Sequence, residues 1–204
     1  MRSRSWILID RISRVHPVTP LVLWMPLVVW LLYRSIDAAQ LSPWGMTLVA
    51  VAALVTWTLT EYMVHRFLFH LAPTSPTRQR IQFVIHGIHH EAPGDPERLL
   101  MPPLPAAFGV AVLYALFRTV LGPALAEPFL AWFLVGYLAY DYTHFAIHRG
   151  RPRTRLGRYL RRRHMIHHFV SPQAGWGVTS PLWDWVMGTM VERRRRRRPL
   201  TVAG

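Results

Sequence analysis

Four stretches of this chain exclude charge for long enough to predict membrane spans. From Val15 to Tyr33 nothing is charged beyond what His16 can carry, and from Gln40 to Thr60 nothing is charged at all. Each approaches the ~20 residues that a helix needs to cross a bilayer. A third run, Leu99 to Phe117, is uncharged but opens on Pro102, Pro103 and Pro105, which predicts a helix from near Ala106. A fourth, Pro128 to Tyr140, is short by itself and is predicted to continue as helix to about His148. The expected fold is therefore an all-α integral membrane protein with four transmembrane helices. Two hairpins that dip in without crossing are the alternative for spans three and four. The first run is too long and too far from the start to read as a cleaved signal peptide, and no small-residue cleavage site follows it.

Charge then sets the expected orientation. The formal net charge is +14, and every positive side chain is arginine, since the chain has no lysine. Arg2, Arg4, Arg11 and Arg14 precede span one; Arg66, Arg78, Arg80 and Arg98 lie between spans two and three; arginine is dense after span four. The two other connections hold one arginine each, Arg34 and Arg118. The excess of arginine on one side predicts both termini in the cytoplasm. The run Arg193 to Arg198 reads as a juxtamembrane patch for anionic lipid, worth roughly 1 kcal/mol per arginine, and not as a nucleic-acid site. The 204 residues fit one membrane domain over 1–204, with a basic, flexible tail at 192–204. Lysine-free composition suggests a GC-rich bacterial genome, hence a bacterial inner membrane.

The candidate chemistry is histidine. With no cysteine in the chain, thiolate ligands and disulfides are excluded. His16 stands alone before Pro17 and reads as an interfacial residue. The other ten histidines form four groups: His65 and His70 in HRFLFH, then His86, His89 and His90 in HGIHH, His144 and His148 in HFAIH, and His164, His167 and His168 in HMIHH. A shift of 78 positions superposes His70 on His148, His86 on His164, His89 on His167 and His90 on His168. Residues three and four apart share a helix face, so His144 and His148 point together, as do the members of each triplet. Ten imidazoles suffice for two ions with about five nitrogens each. A helical cap on the cytoplasmic side is expected to hold this dimetal site, and imidazole suits iron, zinc, copper and nickel.

These boxes, with the surrounding text HGIHHEAPGDPERLLMPPLPA, GYLAYDYTHFAIH and HHFVSPQAGWGVTSPLWDWVMGT, resemble the fatty acid hydroxylase superfamily, which includes sterol desaturases, and within it the fatty acid 2-hydroxylases. The similarity runs from about Glu61 to Thr189. It implies a membrane-bound, non-haem di-iron oxygenase that uses O2 and two electrons to hydroxylate an acyl chain at C2. It carries over His65, His70, His86, His89, His90, His144, His148, His164, His167 and His168 as metal ligands, with iron in the active enzyme and zinc in some purified samples. Some relatives carry a fused cytochrome b5 domain. No haem motif of that kind occurs here, so a separate electron-transfer protein, cytochrome b5-like or a ferredoxin, is expected to dock on the arginine-rich face.

Beside the ligands, carboxylates are expected to orient imidazoles through their free N–H groups. Glu61 lies four residues before His65 and Asp141 three before His144; Asp184 is a weaker candidate. Tyr140 and Asp141 are the candidates for a direct part in the reaction. Trp132, Phe133, Tyr137, Tyr140 and Tyr142 could line an acyl tunnel, although most read as packing or interfacial belt. HEAPGDPERLLMPPLPA reads as an ordered loop and GWGVTSPLWDW as ending in a short amphipathic helix at the membrane surface. The rival functions are another oxygenase of the superfamily, acting on a sterol or carotenoid, and a non-catalytic membrane metal-binding protein.

Overall fold

The computed structural model describes residues 13–38, 41–72 and 74–191; the tail expected at 192–204 lies outside them. Among the described residues all regular structure is helical. The chain runs through α1 (Thr19–Ala38), α2 (Pro43–Met63), a π-helical turn (Val64–Phe69), α3 (Pro76–Gln82), a second π-helical turn (Phe83–Gly87), α4 (Ile88–Glu91), a 3-10 turn (Pro96–Arg98), α5 (Pro103–Leu121), α6 (Pro123–Arg149), α7 (Arg155–Phe169) and α8 (Leu182–Val186).

Among the described residues four helices, α1, α2, α5 and α6, are long and apolar enough to cross a membrane, as the charge pattern predicts. The helix of span three starts at Pro103, ahead of Ala106, because its prolines sit in the first turn, where their missing N–H costs no hydrogen bond. Span four starts at Pro123, ahead of Pro128. The charge of Glu127 hides this in the sequence, but that carboxylate is buried and pairs with Arg34 at 3.2 Å.

α6 is the central span. Its Phe133, Leu134 and Leu138 are buried among Trp24, Val28 and Leu31 of α1, Ala53 of α2 and Phe117 of α5. Lipid offers little hydrophobic drive between spans, so close approach through small residues matters. Ala53, Ala131 and Gly136 provide it, the last by taking the Trp57 ring where its own Cβ would be. The outer spans instead expose apolar faces, as at Leu104, Phe108 and Val120 of α5. α2 and α5 both lie on α6 but scarcely on each other, which leaves a cleft between them.

With 27 residues α6 is about 40 Å long at 1.5 Å per residue, against about 30 Å of hydrocarbon. Its last turns, with His144 and His148, enter a cap made of residues 64–101 and 150–191. Arg161 closes the end of α6 by donating to the carbonyls of Ile147 and Gly150. α8 is the short helix expected at the end of GWGVTSPLWDW; it exposes Leu182, Trp185 and Val186 while burying Asp184.

Candidate metal centre

The first histidine pair poses a geometric problem. His65 and His70 are five residues apart, and in an α-helix such residues point about 140° away from each other. The chain resolves this with the π-helical turn, in which the His70 N–H bonds the His65 carbonyl at 3.2 Å, five residues back. A wider turn brings residues five apart onto one face. In the second half the equivalent pair, His144 and His148, is four apart and stays in α-helix. The one-residue difference between halves is thus taken up by helix type. The second π-helical turn leads into HGIHH in the same way, with Ile88 N–H bonding Phe83 O.

All ten predicted histidines come together, in two groups of five. One comprises His65, His70, His86, His90 and His167; the other comprises His89, His144, His148, His164 and His168. Within each group the ligand-capable atoms lie within 4.8 Å of one another. The groups exchange one member: His167 of the second half completes the first group, and His89 of the first half completes the second. They meet where the His90 and His168 rings stack at 4.1 Å. His16 takes no part; its Nδ1 accepts from the Val18 N–H.

The donor atoms converge like ligands. Nε2–Nε2 separations are 3.0 Å for His86–His90, 3.2 Å for His70–His167, 2.8 Å for His148–His164 and 3.0 Å for His164–His168. Two nitrogens bound at about 2.1 Å to one ion, at right angles, lie about 3.0 Å apart. Tautomers point the same way. Nδ1 of His65 donates to Trp176 O at 2.6 Å, that of His144 to Leu99 O at 2.8 Å and that of His167 to Ala174 O at 3.0 Å. A carbonyl only accepts, so these rings carry their proton on Nδ1 and present a bare lone pair on Nε2. The Nε2 atoms of His65 and His144 are buried with no hydrogen-bond partner. A cation would satisfy such atoms, so the residues fit metal ions.

Burial first, then repulsion from neighbouring rings, holds five of the cap imidazoles below their ordinary pKa. His86, His89 and His164 lie well below it, His90 is lowered to about 4 and His70 to about 3. These rings are neutral at pH 7, the state in which imidazole binds metal.

The carboxylates do not do what the spacing suggests. The partners that fix His65, His144 and His167 are backbone carbonyls, which no residue-type pattern reveals. Glu61 is buried and accepts from Val178 N at 2.5 Å, Thr179 N at 2.9 Å and the Thr179 hydroxyl. It thereby anchors the loop whose Trp176 carbonyl holds His65. Asp184 anchors the same loop from the other side. It accepts from Trp176 N at 2.9 Å, Gly177 N at 2.8 Å, Thr189 Oγ1 at 2.8 Å and Arg163 Nη2 at 2.8 Å. The residue ranked last among the three carboxylates is the most connected. Gly177 is glycine because a Cβ there would sit 2.0 Å from Ser180 O.

Asp141 bonds no histidine. It is fully buried beside the Tyr137 hydroxyl and the Met101 backbone, and it lines a small chamber of about 40 Å³ together with His86, His89, His144 and Arg98. Tyr140 stacks parallel to His144 with centroids 5.8 Å apart and also faces this chamber. Phe69, Ile85, Met101 and Tyr140 line both the chamber and a larger apolar cavity of about 230 Å³ in the cleft between α2 and α5. Of the expected tunnel aromatics, Phe133, Tyr137 and Tyr140 line this cavity. Trp132 and Tyr142 instead pack against the core, and the Tyr142 hydroxyl donates to Pro17 O.

Comparison with known proteins extends this picture. The profile of the fatty acid hydroxylase family matches residues 50–189. The chain is 37% identical over 168 residues to a dihydroceramide fatty acyl 2-hydroxylase of Arabidopsis thaliana, covering 82% of this chain and 70% of the plant protein. It is 35% identical over 206 residues to the fatty acid 2-hydroxylase of Rattus norvegicus, covering 90% of this chain. There it spans just over half, 55%, of the rat protein's length. A solved structure of full-length scs7p, in which only the hydroxylase domain is visible, superposes with a TM-score of 0.83 at 32% identity, covering 90% of this chain and 70% of that one. The four apolar helices and these relatives make it a multi-pass membrane protein. Because the profile spans all four histidine boxes and relatives above 30% identity run along most of the chain, the protein belongs to the fatty acid hydroxylase family, a family of oxidoreductases.

Proposed function

We propose that this protein is a membrane-bound non-haem di-iron oxygenase that hydroxylates an acyl chain at C2, on a free fatty acid or on the acyl group of a lipid. The observation that carries the reading is the meeting of ten histidines, as two groups of five, beside a small chamber that shares its walls with an apolar cavity between spans. His65, His70, His86, His90 and His167 would hold one ion, and His89, His144, His148, His164 and His168 the other. Iron bound there supplies the oxidising power that no side chain has, with O2 and two external electrons; zinc, without redox states, supplies none.

The chain's own groups do the rest. Backbone carbonyls hold the rings in one tautomer, and the cap keeps the site largely out of water. The cavity admits an alkyl chain, and the metal centre lies where the spans leave the apolar layer, close to the depth of a lipid head group. That depth favours a carbon near the carbonyl over one deep in the chain. Arginines on the cap side, against Arg34 and Arg118 at the other ends of the spans, favour a cytoplasmic cap. The electrons would come from a separate cytochrome b5-like protein or ferredoxin. Exposed Arg151, Arg155, Arg158 and Arg162 offer it a cationic face, and no acidic residue occurs between Asp141 and Asp184 to offset them.

The deciding experiment is lipid mass spectrometry of a strain expressing the protein beside a His167→Ala control. A gain of one oxygen at C2, absent from the control, is the expected result. An altered sterol or carotenoid would move the substrate class. Metal binding with no oxygen consumption, given reductant and acyl lipid, would leave a metal-binding protein without this activity.

A further inference from the structure

The apolar cavity has a far end. It is lined along α2, α5 and α6, and on each helix the lining residue most distant from the histidines is, respectively, Trp57, Leu113 and Phe133. Trp57 and Phe133 close the cleft with aromatic rings. Trp57 meets Phe133 edge-on at 5.1 Å, and Phe133 is backed by Phe117 at 5.4 Å. The Trp57 ring has its place only because residue 136 is glycine, since a Cβ there would lie 2.6 Å from Trp57 Cγ. The side wall differs. Gly109 of α5 lines the cavity, and a Cβ built on it meets nothing within 4 Å. It lies seven residues along α5 from Pro102, which lines the histidine chamber, so about 10 Å farther into the cleft.

We infer that this cavity gauges the length of the acyl chain: Trp57, seated on Gly136, is the stop, and Gly109 keeps the shaft open on the way to it. The inference rests on the acyl-hydroxylase reading and adds the residues that select among chains. An acyl chain threaded from the histidine end would pass Gly109 before reaching Trp57. A side chain at 109 would project into the space the chain occupies. A smaller residue at 57 would lengthen that space, because Gly136 behind it adds no bulk. Each methylene that finds or loses apolar cover changes kcat/KM roughly fourfold, the equivalent of about 0.8 kcal/mol.

The test compares the length distribution of hydroxylated acyl chains formed in membranes by wild type, Gly109→Leu, Trp57→Ala and, as a control on the lipid-facing side of α5, Phe108→Ala. Gly109→Leu is expected to shift products to shorter chains and Trp57→Ala to longer ones, with Phe108→Ala unchanged. Gly109→Ala should give a smaller shift in the same direction as leucine, and it serves if leucine prevents folding. Unchanged distributions in variants that still hydroxylate overturn the gauge and leave the proposed reaction standing. If wild type forms no hydroxylated acyl chain, the proposed reaction falls first, and binding decides the gauge. Fatty acids carrying a terminal diazirine would then label the peptides of Trp57 and Leu113 in wild type, with less labelling in Gly109→Leu. Labelling spread over lipid-facing peptides would overturn it.

Discussion

Replacing Asp184 with asparagine tests whether the loop, and not a carboxylate beside the ring, sets the first histidine group. Asp184 is fully buried, and its carboxylate is the partner of Arg163, whose side chain is 5% exposed. Nε and Nη1 of that guanidinium have no hydrogen-bond partner, so Nη2 to Asp184 is its one strong tether. Asparagine keeps the size and an acceptor oxygen but removes the charge. A buried cation left without its anion costs about 3–5 kcal/mol. Further loss comes if either Trp176 N or Gly177 N goes unbonded, at about 1–3 kcal/mol for a buried donor. At roughly 2–4 °C per kcal/mol for a chain of this size, the thermal midpoint in detergent should fall by roughly 6–20 °C.

The functional consequence should be local. Loosening residues 174–177 frees the carbonyls of Trp176 and Ala174, hence the rings of His65 and His167, both in the first group. His144 is held by Leu99 O, outside that loop. Metal content after iron loading should therefore fall from two ions per chain toward one, measured by elemental analysis of protein purified at the same temperature. Adding Arg163→Met should recover part of the lost stability, because no charge is then stranded. A midpoint within about 2 °C of wild type and two retained ions would refute the reasoning.

Four further outcomes follow from the same geometry. Gly177→Ala should lower the iron content of the first group, since its Cβ would collide with Ser180 O; normal metal content would show that the loop can shift without cost. Deleting Phe67 sets His65 and His70 four apart, as in the second half, so the π-helical turn should relax to α-helix with both ions kept. Inserting one alanine after Phe67 should lose an ion, and equal loss in both variants would contradict the role given to helix type. Metal-free protein should lose stability as pH falls below about 6.5, where unfolded histidines take up protons that the folded cap, with His90 near 4 and His70 near 3, refuses until much lower pH. Its thermal midpoint should be flat above pH 7 and decline from there to pH 5, and a rise on acidification would be the contrary result.

Much of the site was legible because metal ligands announce themselves by residue type and spacing. Ten histidines in four groups are visible without a structure, and so is the shift of 78 that relates most of them. What spacing could not reveal was the use of main-chain atoms. Trp176 O, Leu99 O and Ala174 O hold three of the rings, and a carbonyl belongs to every residue. The expectation for Glu61 and Asp141 failed for that reason, since proximity on a helix face gives opportunity but not the partner. The odd spacing of His65 and His70 was the one available sign of the π-helical turn. The start of span four slipped because a charge was neutralised out of view, Glu127 by Arg34, and that of span three because its prolines sit in the first turn.

The exchange of His89 and His167 has the largest structural consequence. Each half of the chain supplies four histidines to its own group and one to the other, so neither half carries a complete set of five. Two ions bound in these groups would each tie the segment ending in α4 to α7. An ion held by rings from only one half would stabilise that half alone. Crossed ligands make both ions dependent on the docking of the halves, and make the docking dependent on the ions. The same crossing fixes the register of α4 against α7, because His90 and His168 stack at the join while His89 and His168 approach to 3.1 Å. Substituting His89 or His167 should therefore weaken both the partner half's ion and the contact between halves. Substituting His70 or His148, each inside its own group, should release one ion and leave the register in place.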